Sequence, residues 1–513
     1  MSTAPTRYDA IVLGSGLGGL STASMLARKG KRVLVLERHA LPGGYATNFS
    51  RKGFTFDVSL HSFDGAREGT SSWDVIKACG VEDRVTFLPH KKLYRVLAHD
   101  VDLSVRHGDV AAYQAQLAAH FPLERENLAR MFVEAERMFR QVGRFIVSSM
   151  PFLLKMASMP FLFHKILKYE HSTVDQFFAR FIGDPRLREL LSVQWSYYGL
   201  PPDQLAFPYF SYPFIDYLQH GGYSVRGGSQ TLSDALVAVI RENGGEVLLK
   251  AQATRLLVER GRVLGVEAKG IGPSFSSTVI SNLSPHTTVK LAGEQQFPPR
   301  FLEKLRAMTV SISGLQIYLG LDCDLRSLGV DPDEYIVFVG NRRPLAEQYK
   351  TLQENDLESE KAAFSINLFS NIDPSLAPEG KSTLGLFSLC GGKHWQELSR
   401  PDYLLRKRAV TEALITRAER VIPGLSKHIV VSETATPRTM TRYTANTGGS
   451  FYGFEQSVAQ SGLLRRFPMR YPVKGLYQVG AWTFPGAGFI GTMMSAKFLV
   501  DRYFGALGKR IFQ

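Results

Sequence analysis

The segment between residues 8 and 37 constrains the fold of this 513-residue chain more than any other. A strand-like apolar run that ends at Leu13 leads into GSGLGG at residues 14–19, which has the spacing G-x-G-x-x-G, and a helical pattern follows as far as Leu26. A second strand-like run, residues 32–36, is followed by Glu37. Strand, glycine turn, helix, strand and acid in this order predict the first βαβ unit of a dinucleotide-binding domain.

The glycines of this unit predict contact with a pyrophosphate. Gly14, Gly16, Gly18 and Gly19 allow the tight turn and the close approach of backbone that such a group needs. The helix that follows offers unpaired N–H groups and the positive end of its dipole. Glu37 stands where an acid accepts hydrogen bonds from the hydroxyls of an adenosine ribose, so we expect all five residues to bind a dinucleotide.

A glycine doublet directly after this unit extends the predicted site. Arg38 follows the acid, and Gly43 and Gly44 stand where a nicotinamide dehydrogenase ordinarily enters its next helix. The doublet indicates a second close approach of the backbone to the same ligand. We expect these three residues to contact the cofactor as well.

The other end of the chain carries a second G-x-G-x-x-G motif, residues 486–491, after a strand-like run. Only 22 residues follow it, too few for the helix, strand and acid of a further dinucleotide site. The motif is better explained as a helix start that contacts another part of the first ligand. A ligand touched by both ends of the chain is long, which predicts FAD, with the flavin near Gly480, Gly486, Gly488, Phe489 and Ile490.

Four stretches of the chain resemble one group of flavoproteins. They are the N-terminal glycine unit, residues 53–61 (GFTFDVSLH), residues 226–229 (RGGS) and residues 479–488. Together they are similar to the superfamily of carotenoid desaturases, carotenoid cis–trans isomerases and retinol saturases, over nearly the whole chain. Residues 190–228 and 436–453 resemble the retinol saturase and carotenoid isomerase branch more than the classical phytoene desaturases.

The resemblance and the element pattern predict an α/β fold. We expect a Rossmann-type FAD-binding domain of the two-dinucleotide-binding flavoprotein kind, a mixed α+β substrate domain, and a helical insertion that is a lid or contacts a membrane. Strand-like runs at residues 246–249, 255–259 and 263–268 predict a β-meander, and residues 279–282 close its return to the FAD domain. Ala253 is expected where the backbone contacts adenine. Further strands are predicted at residues 315–319, 363–368 and 383–388, in the sheet of the substrate domain. The expected parts are residues 1–90, 221–290 and 436–513 for the FAD domain, 91–220 for the insertion and 291–435 for the sheet of the substrate domain.

The net charge of +14 raises the question of an acidic partner. No long Lys/Arg run or nucleic-acid-binding module accompanies it, which argues against nucleic acid. Residues 145–169 are rich in Phe, Leu and Met, contain three lysines and no acid, and are interrupted by Pro151 and Pro160. This composition favours an element at the membrane interface, with a buried lid over an apolar substrate channel as the alternative.

The cysteines and the N-terminus bear on the compartment. Cys79, Cys323 and Cys390 lie far apart without metal-ligand spacing, which predicts reduced thiols and no metal. The polar N-terminus lacks the pattern of a signal or transit peptide. We expect a cytoplasmic protein that associates peripherally with a membrane.

The sequence is less informative about catalytic residues. A flavin takes up a hydride at N5, so the protein need only hold the reacting carbons there and manage one proton. His61 is the candidate acid or base, with a structural or cofactor-binding histidine as the alternative. Arg438 and Tyr452 are candidates to orient a substrate or donate a proton. An aromatic cluster is a candidate tunnel lining, with plain core as the alternative: Trp195, Tyr197, Tyr198, Phe207, Tyr209, Phe210, Tyr212 and Phe214.

These observations predict an FAD-dependent oxidoreductase that desaturates or saturates carbon–carbon bonds of a long apolar isoprenoid, carotenoid-like or other polyene lipid. Redox-neutral cis–trans isomerisation with reduced FAD is one alternative. Amine-oxidase-like oxidation and polyene binding without catalysis are two others. The electron acceptor or donor stays open at this level.

Overall fold

The computed structural model describes residues 7–59, 61–98, 100–148, 150, 152–341, 343–462 and 465–505. The polar N-terminus as far as Thr6, the motif residue Leu60 and the predicted helix break at Pro151 lie outside these ranges. The strands are β1 Ala10–Leu13, β2 Val33–Leu36, β3 Asn48–Arg51, β4 Phe54–Asp57, β5 Phe63–Asp64, β6 Phe87–Pro89, β7 Lys92–Ala98, β8 Val101–Arg106, β9 Gly222–Val225, β10 Glu246–Leu248, β11 Ala253–Glu259, β12 Arg262–Ala268, β13 Ile271–Phe275, β14 Val279–Ser281, β15 Ser313–Leu321, β16 Ile336–Val339, β17 Phe364–Asn367, β18 Ser382–Cys390, β19 Ile429–Ala435 and β20 Leu476–Gln478.

Helices connect and cover these strands. The α-helices are α1 Leu17–Ala27, α2 Ser71–Cys79, α3 Val110–His120, α4 Arg125–Val147, α5 Phe152–Ala157, α6 Met159–Leu162, α7 His164–Tyr169, α8 Val174–Phe178, α9 Pro185–Leu191, α10 Phe207–His220, α11 Ser229–Glu242, α12 Pro285–Ala292, α13 Pro299–Ala307, α14 Leu345–Gln353, α15 Phe369–Ile372, α16 Gly392–Glu397, α17 Arg400–Glu419, α18 Pro437–Thr444, α19 Val458–Ser461 and α20 Phe489–Phe504.

A five-stranded parallel sheet, in the order β10-β2-β1-β14-β20, combines three separate parts of the chain. Its strands β1, β2 and β14 are buried at every residue, as expected for a parallel sheet covered on both faces. Helix α1 packs against α11 and α20. A Cβ atom on Gly18 would lie 2.8 Å from the Cα atom of Gly480, so glycine is what lets the start of α1 meet the end of β20.

The predicted β-meander is divided between two sheets. Strand β10 belongs to the parallel sheet, whereas β11, β12 and β13 form a separate three-stranded antiparallel sheet. The following strand, β14, then returns to the parallel sheet beside β1. The strand positions were predicted, but a local pattern does not show which sheet a strand joins.

A seven-stranded mixed sheet, in the order β19-β15-β18-β17-β16-β7-β8, forms the second layer. The predicted strands at residues 315–319, 363–368 and 383–388 are confirmed as parts of β15, β17 and β18. Strands β7 and β8 lie at the start of the segment predicted to be helical. They pair with each other in antiparallel fashion along residues 92–106. Buried and exposed residues alternate in part of β8, whose sequence is VDLSVR, and this period of two favours a strand over the predicted helix.

The helices between β8 and β9 form an aromatic-rich cover. Helix α4 packs on α10 and α7. The buried carboxylate of Glu134 in α4 accepts hydrogen bonds from Lys165 Nζ at 2.7 Å and from the Tyr169 hydroxyl at 2.8 Å. These bonds fix the start and end of α7 against α4.

The segment predicted to contact a membrane, residues 145–169, comprises the end of α4 and helices α5 to α7. Lys155 Nζ donates to the carbonyls of Phe145 and Ser148, and Lys165 binds Glu134. Lys168 Nζ also lies 3.6 Å from the Glu134 carboxylate, so all three lysines of the segment have partners within the protein. Lys168 is the more exposed of the two lysines of α7 and is the better placed of the two to meet a head group. Within the described residues no helix is long and apolar enough to cross a bilayer.

The three cysteines are unpaired, as predicted.

Candidate active site

One cavity of about 1460 Å³ connects the glycine turn after β1 with helices α4, α7 and α10. Pockets for a single small ligand typically enclose roughly 300–1,000 Å³, so this cavity has room for a dinucleotide and a second long molecule. We call the part near β1, β2 and α20 the cofactor end. The part lined by residues of α4, α7, α10, β15 and β18 is the substrate end.

The first glycine motif lies at the cofactor end. Gly14, Gly16 and Gly18 line the cavity, and Gly14 has a φ of +87°, which favours glycine. Gly19 is not among the lining residues. A Cβ atom on Gly19 would lie 2.1 Å from the carbonyl oxygen of Gly14, so this glycine allows the helix to pack against the turn.

Glu37 is buried at the end of β2 and lines the cavity. Its carboxylate accepts hydrogen bonds from the Ser15 backbone N–H at 2.8 Å, the Ser15 hydroxyl at 2.7 Å and the His39 backbone N–H at 2.7 Å. These donors fix an anionic acceptor at the position where a ribose is expected. The neighbouring Arg38 lines the cavity and donates to the carbonyl of Arg442 at 2.8 Å.

The glycine doublet packs against the first motif. Gly43 and Gly44 line the cavity with φ values of +121° and +63°. The Gly43 N–H donates to the carbonyl of Ser15 at 2.9 Å, and a Cβ atom on Gly44 would lie 3.2 Å from the Cα atom of Gly16. Two glycine turns thus form one continuous wall of main chain. Ala253, at the start of β11, lines the same cavity.

Helix α20 begins at the cavity wall. Gly488, Phe489 and Ile490 line the cavity, so the N–H groups of the first turn and the positive end of the helix dipole lie at its edge. Gly480 and Gly486 are not lining residues. A Cβ atom would lie 2.2 Å from Asn282 Oδ1 at Gly480 and 2.9 Å from the Tyr209 hydroxyl oxygen at Gly486, so these two glycines permit close packing.

Comparison with known proteins agrees with this architecture. The profile of the family described as flavin containing amine oxidoreductase matches residues 17–502. The chain belongs to this family. Wild-type putrescine oxidase, solved with putrescine bound, shares the fold of this flavoenzyme, with a TM-score of 0.64 at 13% identity over 97% of this chain and 99% of that one.

Three curated relatives of this flavoenzyme confirm the predicted superfamily. Prolycopene isomerase 1 from an Oncidium hybrid cultivar is 29% identical, over 98% of this chain and 84% of the relative. All-trans-retinol 13,14-reductase from Danio rerio is 26% identical, over 96% and 86%. Neurosporene-forming phytoene desaturase from Cereibacter sphaeroides is 26% identical, over 97% and 95%. The protein is an FAD-dependent oxidoreductase, and the glycine wall, the Glu37 acceptor and the α20 N-terminus fit that cofactor.

His61 lies at the substrate end of the cavity. Its Nε2 is 3.3 Å from Gln316 Oε1, and its ring centre is 4.7 Å from that of Phe387. Burial lowers the pKa of His61 to about 4, against a smaller opposing effect of Gln316. The imidazole is therefore neutral at pH 7. It can accept or relay a proton, but it is not a standing imidazolium donor.

The other two candidate catalytic residues lie in different surroundings. The Tyr452 hydroxyl donates to the carbonyl of Ser196 at 2.6 Å, and burial raises its pKa far above the ordinary value. Arg438 packs over the ring of Tyr403 and donates to the carbonyl of Leu398 at 3.3 Å. Both line the cavity, but no described contact joins Arg438 to Tyr452 or to the histidine.

The aromatic cluster divides into two sets. Tyr197, Tyr198, Tyr209 and Tyr212 line the cavity. The other four residues do not line it and pack in the core: Trp195, Phe207, Phe210 and Phe214. The tunnel interpretation and the core interpretation therefore each describe half of the cluster.

Sequence reasoning did not identify several polar residues of the cavity. Asp64, Asp216, Gln316 and Arg466 all line it. Burial lowers the pKa of Arg466 to about 10, and its guanidinium lies 4.8 Å from the ring centre of Tyr209. Gln316 and Asp216 are single polar residues in apolar runs, which is a signal available without a structure, whereas Asp64 and Arg466 have polar neighbours in the sequence.

The structure also assembles one surface group that the spacing of the cysteines did not indicate. The ligand atoms of Asp322, Cys323 and His428 lie within 4.8 Å of one another. His428 Nδ1 is 2.8 Å from Asp322 Oδ1, and both side chains are partly exposed. None of the three lines the cavity.

Proposed function

We propose that the protein acts on carbon–carbon bonds of a long apolar polyene of the carotenoid or retinoid class. The observation that carries this proposal is the continuation of the cofactor cavity into a substrate end with aromatic walls. Such a shape accommodates an extended apolar chain whose middle lies beside the flavin. The activities for which the three relatives are named concern molecules of this class and support the assignment.

We infer the following cofactor contacts. Gly14, Gly16 and Gly18 would hold the pyrophosphate with the doublet Gly43-Gly44, and Glu37 would accept from the ribose. The first turn of α20 would stabilise negative charge on the flavin. When bound, FAD supplies hydride transfer at N5. The remaining tasks, which are holding the polyene and moving a proton, fall to side chains of the substrate end.

The walls of the substrate end suit a rigid conjugated chain. Tyr197 and Tyr209 present ring faces and edges from different elements, and Phe387 adds a third ring beside His61. Aromatic contacts of this kind hold a flat π system at little conformational cost. Positioning by these rings would bring the reacting carbons to the flavin and keep water away from them.

We further propose that the substrate enters from a membrane surface at the cytoplasmic side. Val142, Phe145 and Ile166 line the cavity where α4 meets α7, and we call this part the mouth. Beside it, large apolar side chains are exposed among the described residues of α5 to α7: Leu154, Phe161, Leu162 and Leu167. Helix α7 thus directs Ile166 inward and Leu167 outward. A surface of this composition is typical of interfacial helices, and it lies where a lipid would leave the bilayer.

The proposal is tested by anaerobic incubation of the purified flavoprotein with prolycopene, all-trans-retinol and phytoene in detergent, in one set of samples with oxidised FAD and in a second set with dithionite-reduced FAD. Product mass separates the reactions, because saturation adds two hydrogens, desaturation removes two, and isomerisation leaves the mass unchanged. Conversion of at least one polyene with FAD-dependent kinetics is expected. No conversion of any of the three, with flavin fully bound, would contradict the proposal.

Amine oxidation is a second candidate, because two carboxyl groups, Asp64 and Asp216, line the substrate end. A buried carboxylate there would pair with a substrate ammonium group. Putrescine and a long-chain alkylamine, added to the oxidised flavoprotein, test this function. Bleaching of the flavin by an amine but not by a polyene would favour it over the polyene function.

A further inference from the structure

Asp64 occupies an unusual place for an acid. It ends the short strand β5, directly after the fully buried Phe63, and lines the substrate end of the cavity. Its backbone is held by pairing with Gly222 of β9. The side chain is therefore presented to the cavity by a rigid element, three positions after His61 in the chain.

A second carboxyl group lies beside it. Asp216 of α10 is 3% exposed and also lines the cavity. A Cβ atom on Gly65, the residue after Asp64, would lie 3.1 Å from Asp216 Oδ2, which shows how closely α10 approaches this strand. Asp216 Oδ1 is 2.8 Å from His220 Nδ1. One acid of the pair thus has a nitrogen partner on its own helix.

Burial, followed by the charge of Asp216, raises the pKa of Asp64 to about 8. Two carboxyl groups in one buried site cannot easily both be ionised, and both effects favour the protonated form of Asp64. Asp64 is therefore mostly protonated at pH 7 and loses its proton as the pH rises through about 8. The neutral His61 and the tyrosines of the cavity, whose pKa values burial raises, have no comparably acidic proton at that pH.

We propose that Asp64 is the catalytic acid that delivers a proton to a polyene carbon. The proposal rests on the proposed polyene function and deepens it. Its geometric basis is a carboxyl group fixed on a strand, inside the cavity, with a second acid beside it. Gln316 Nε2 and the Tyr197 hydroxyl, two buried donors without a hydrogen-bond partner among the described residues, line the same end and would hold the substrate or the departing carboxylate.

The proton transfer balances without a change of oxidation state in the isomerisation. The O–H bond of Asp64 breaks as the π electron pair of one double bond forms a C–H bond, which leaves a conjugated cation on the polyene and a carboxylate on the protein. Rotation about the former double bond and return of the proton to Asp64 complete the cis–trans change. In a saturation the same proton is one of the two hydrogens added, the hydride coming from reduced FAD, and solvent reprotonates the carboxylate.

The groups around Asp64 come from several elements. The negative charge of ionised Asp64 acts, together with burial, to raise the pKa values of Tyr197, Tyr198 and Tyr217. On α20, which packs against β5, Lys497 is paired with Asp501. The titratable groups that face or adjoin it are His61 from its own segment, Tyr197 and Tyr198 from the turn before α10, Tyr209, Tyr212, Asp216, Tyr217 and His220 from α10, and Tyr223 from β9.

The test compares wild type with Asp64→Asn, using prolycopene and dithionite-reduced FAD, after thermal melting and flavin content have been matched. We expect Asp64→Asn to bind FAD and polyene and to turn over at least about 100-fold more slowly, the usual scale of general acid assistance. Wild-type turnover should fall as the pH rises through about 8, and Asp64→Glu should restore part of it. A saturated product formed in D₂O should carry deuterium at the carbon that receives the proton, whereas an isomerised product returns that deuteron to Asp64.

Asp216→Asn is the matched control, because it keeps Asp64 and removes the neighbouring charge. The falling limb of its pH profile should move to lower pH, since Asp64 would then ionise more easily. Infrared difference spectra supply a readout without turnover: a protonated carboxyl band at pH 7 should be present in wild type and missing in Asp64→Asn.

The outcomes distinguish the proposed polyene function from the acid role of Asp64. A wild type that converts no polyene contradicts the proposed function, and the acid role with it. A wild type that converts polyene while Asp64→Asn matches its rate and pH profile overturns the acid role alone. A rate that rises through pH 8 also overturns it, because the ionised carboxylate would then be the active form. Absence of the infrared band in folded wild type would show that Asp64 is ionised and unable to donate.

Discussion

At the cofactor end of the cavity the wall is largely main chain, whereas at the substrate end it consists of side chains from distant elements. Gly16 and Gly44 approach each other closely, and Glu37 is held by three donors from its own neighbourhood. At the other end, the Tyr197 hydroxyl and Gln316 Nε2 are buried without a partner among the described residues. The polar groups named at the cofactor end have partners within the protein. The two at the substrate end are donors to which a bound ligand would offer acceptors.

This difference predicts how the two regions respond to substitution. A change at the cofactor end should act on binding, because a new side chain either blocks the main-chain wall or leaves a buried charge unpaired. A change at the substrate end should act on rate or substrate uptake and leave the cofactor in place. The predictions below test that separation, beginning with the largest expected effect.

Glu37→Arg should weaken FAD binding by at least about 100-fold. The substitution removes the acceptor for Ser15 and His39 and buries a guanidinium beside donors, which costs several kcal/mol for an unpaired ion. The flavin-to-protein absorbance ratio of the purified protein measures the effect. Circular dichroism serves as the folding control, and full flavin occupancy in a folded variant would contradict the assignment of Glu37.

Phe161→Asp should lower partition onto liposomes by about 10- to 100-fold. Phe161 is 81% exposed beside the mouth, and a large apolar side chain contributes about 1.5–3 kcal/mol when it is buried. Leu405→Asp, at a residue that is 71% exposed on α17, is the matched control and should bind vesicles like wild type. Vesicle sedimentation measures both. Equal loss in the two variants would mean that the segment from α5 to α7 is not the contact surface.

His61→Asn should reduce turnover by about tenfold and leave flavin content unchanged. The neutral imidazole packs on Phe387 and contacts Gln316, so its loss should disturb positioning more than proton transfer. Because burial lowers its pKa to about 4, wild-type turnover should show no inflection near pH 6.5 from this residue. A lower flavin content with unchanged turnover per flavin would instead assign His61 to the cofactor end.

Lys168→Gln should give the smallest effect, about a fivefold loss of capture by anionic vesicles. One lysine near an anionic surface contributes about 1 kcal/mol, and Lys168 is the more exposed of the two lysines of α7. Neutral vesicles and high salt should remove the difference. Lys393→Gln, at a residue 90% exposed on α16, provides the charge-matched control. A loss of the same size in Lys393→Gln would show that net charge alone attracts the protein to the vesicles.

The sequence predicted the βαβ unit well because a glycine turn and its ribose-binding acid are encoded within thirty residues of one another. It did not distinguish glycines that face a ligand from those that face protein. The predicted contacts of Gly19, Gly480 and Gly486 with the cofactor stay predictions, and the structure shows a second reason for glycine there, because a Cβ atom would collide with Gly14, Asn282 or Tyr209. A glycine motif indicates that another group comes close to the backbone, but it does not indicate whether that group is a ligand or another part of the protein.

The residues of the substrate end escaped prediction for a related reason. Asp64 gains its raised pKa from burial and from Asp216, which lies on a helix far along the chain. Lys165 points inward because it binds Glu134, and Glu134 lies outside residues 145–169, the segment predicted to contact a membrane. Charge state and direction of a side chain depend on long-range contacts, and local patterns do not contain them.

The strand order of the parallel sheet has a consequence for the timing of cofactor capture during protein synthesis. Strands β1 and β2 leave the ribosome more than 400 residues ahead of β20 and of α20, which begins at the cavity wall. A nascent chain therefore exposes its glycine turn while all of those residues are made, without the partner surfaces that the site requires. We expect FAD to be acquired only after β20 and α20 have emerged. Until FAD binds, the chain is an unliganded intermediate that can be lost. The cellular supply of flavin should therefore determine how much of it becomes mature protein.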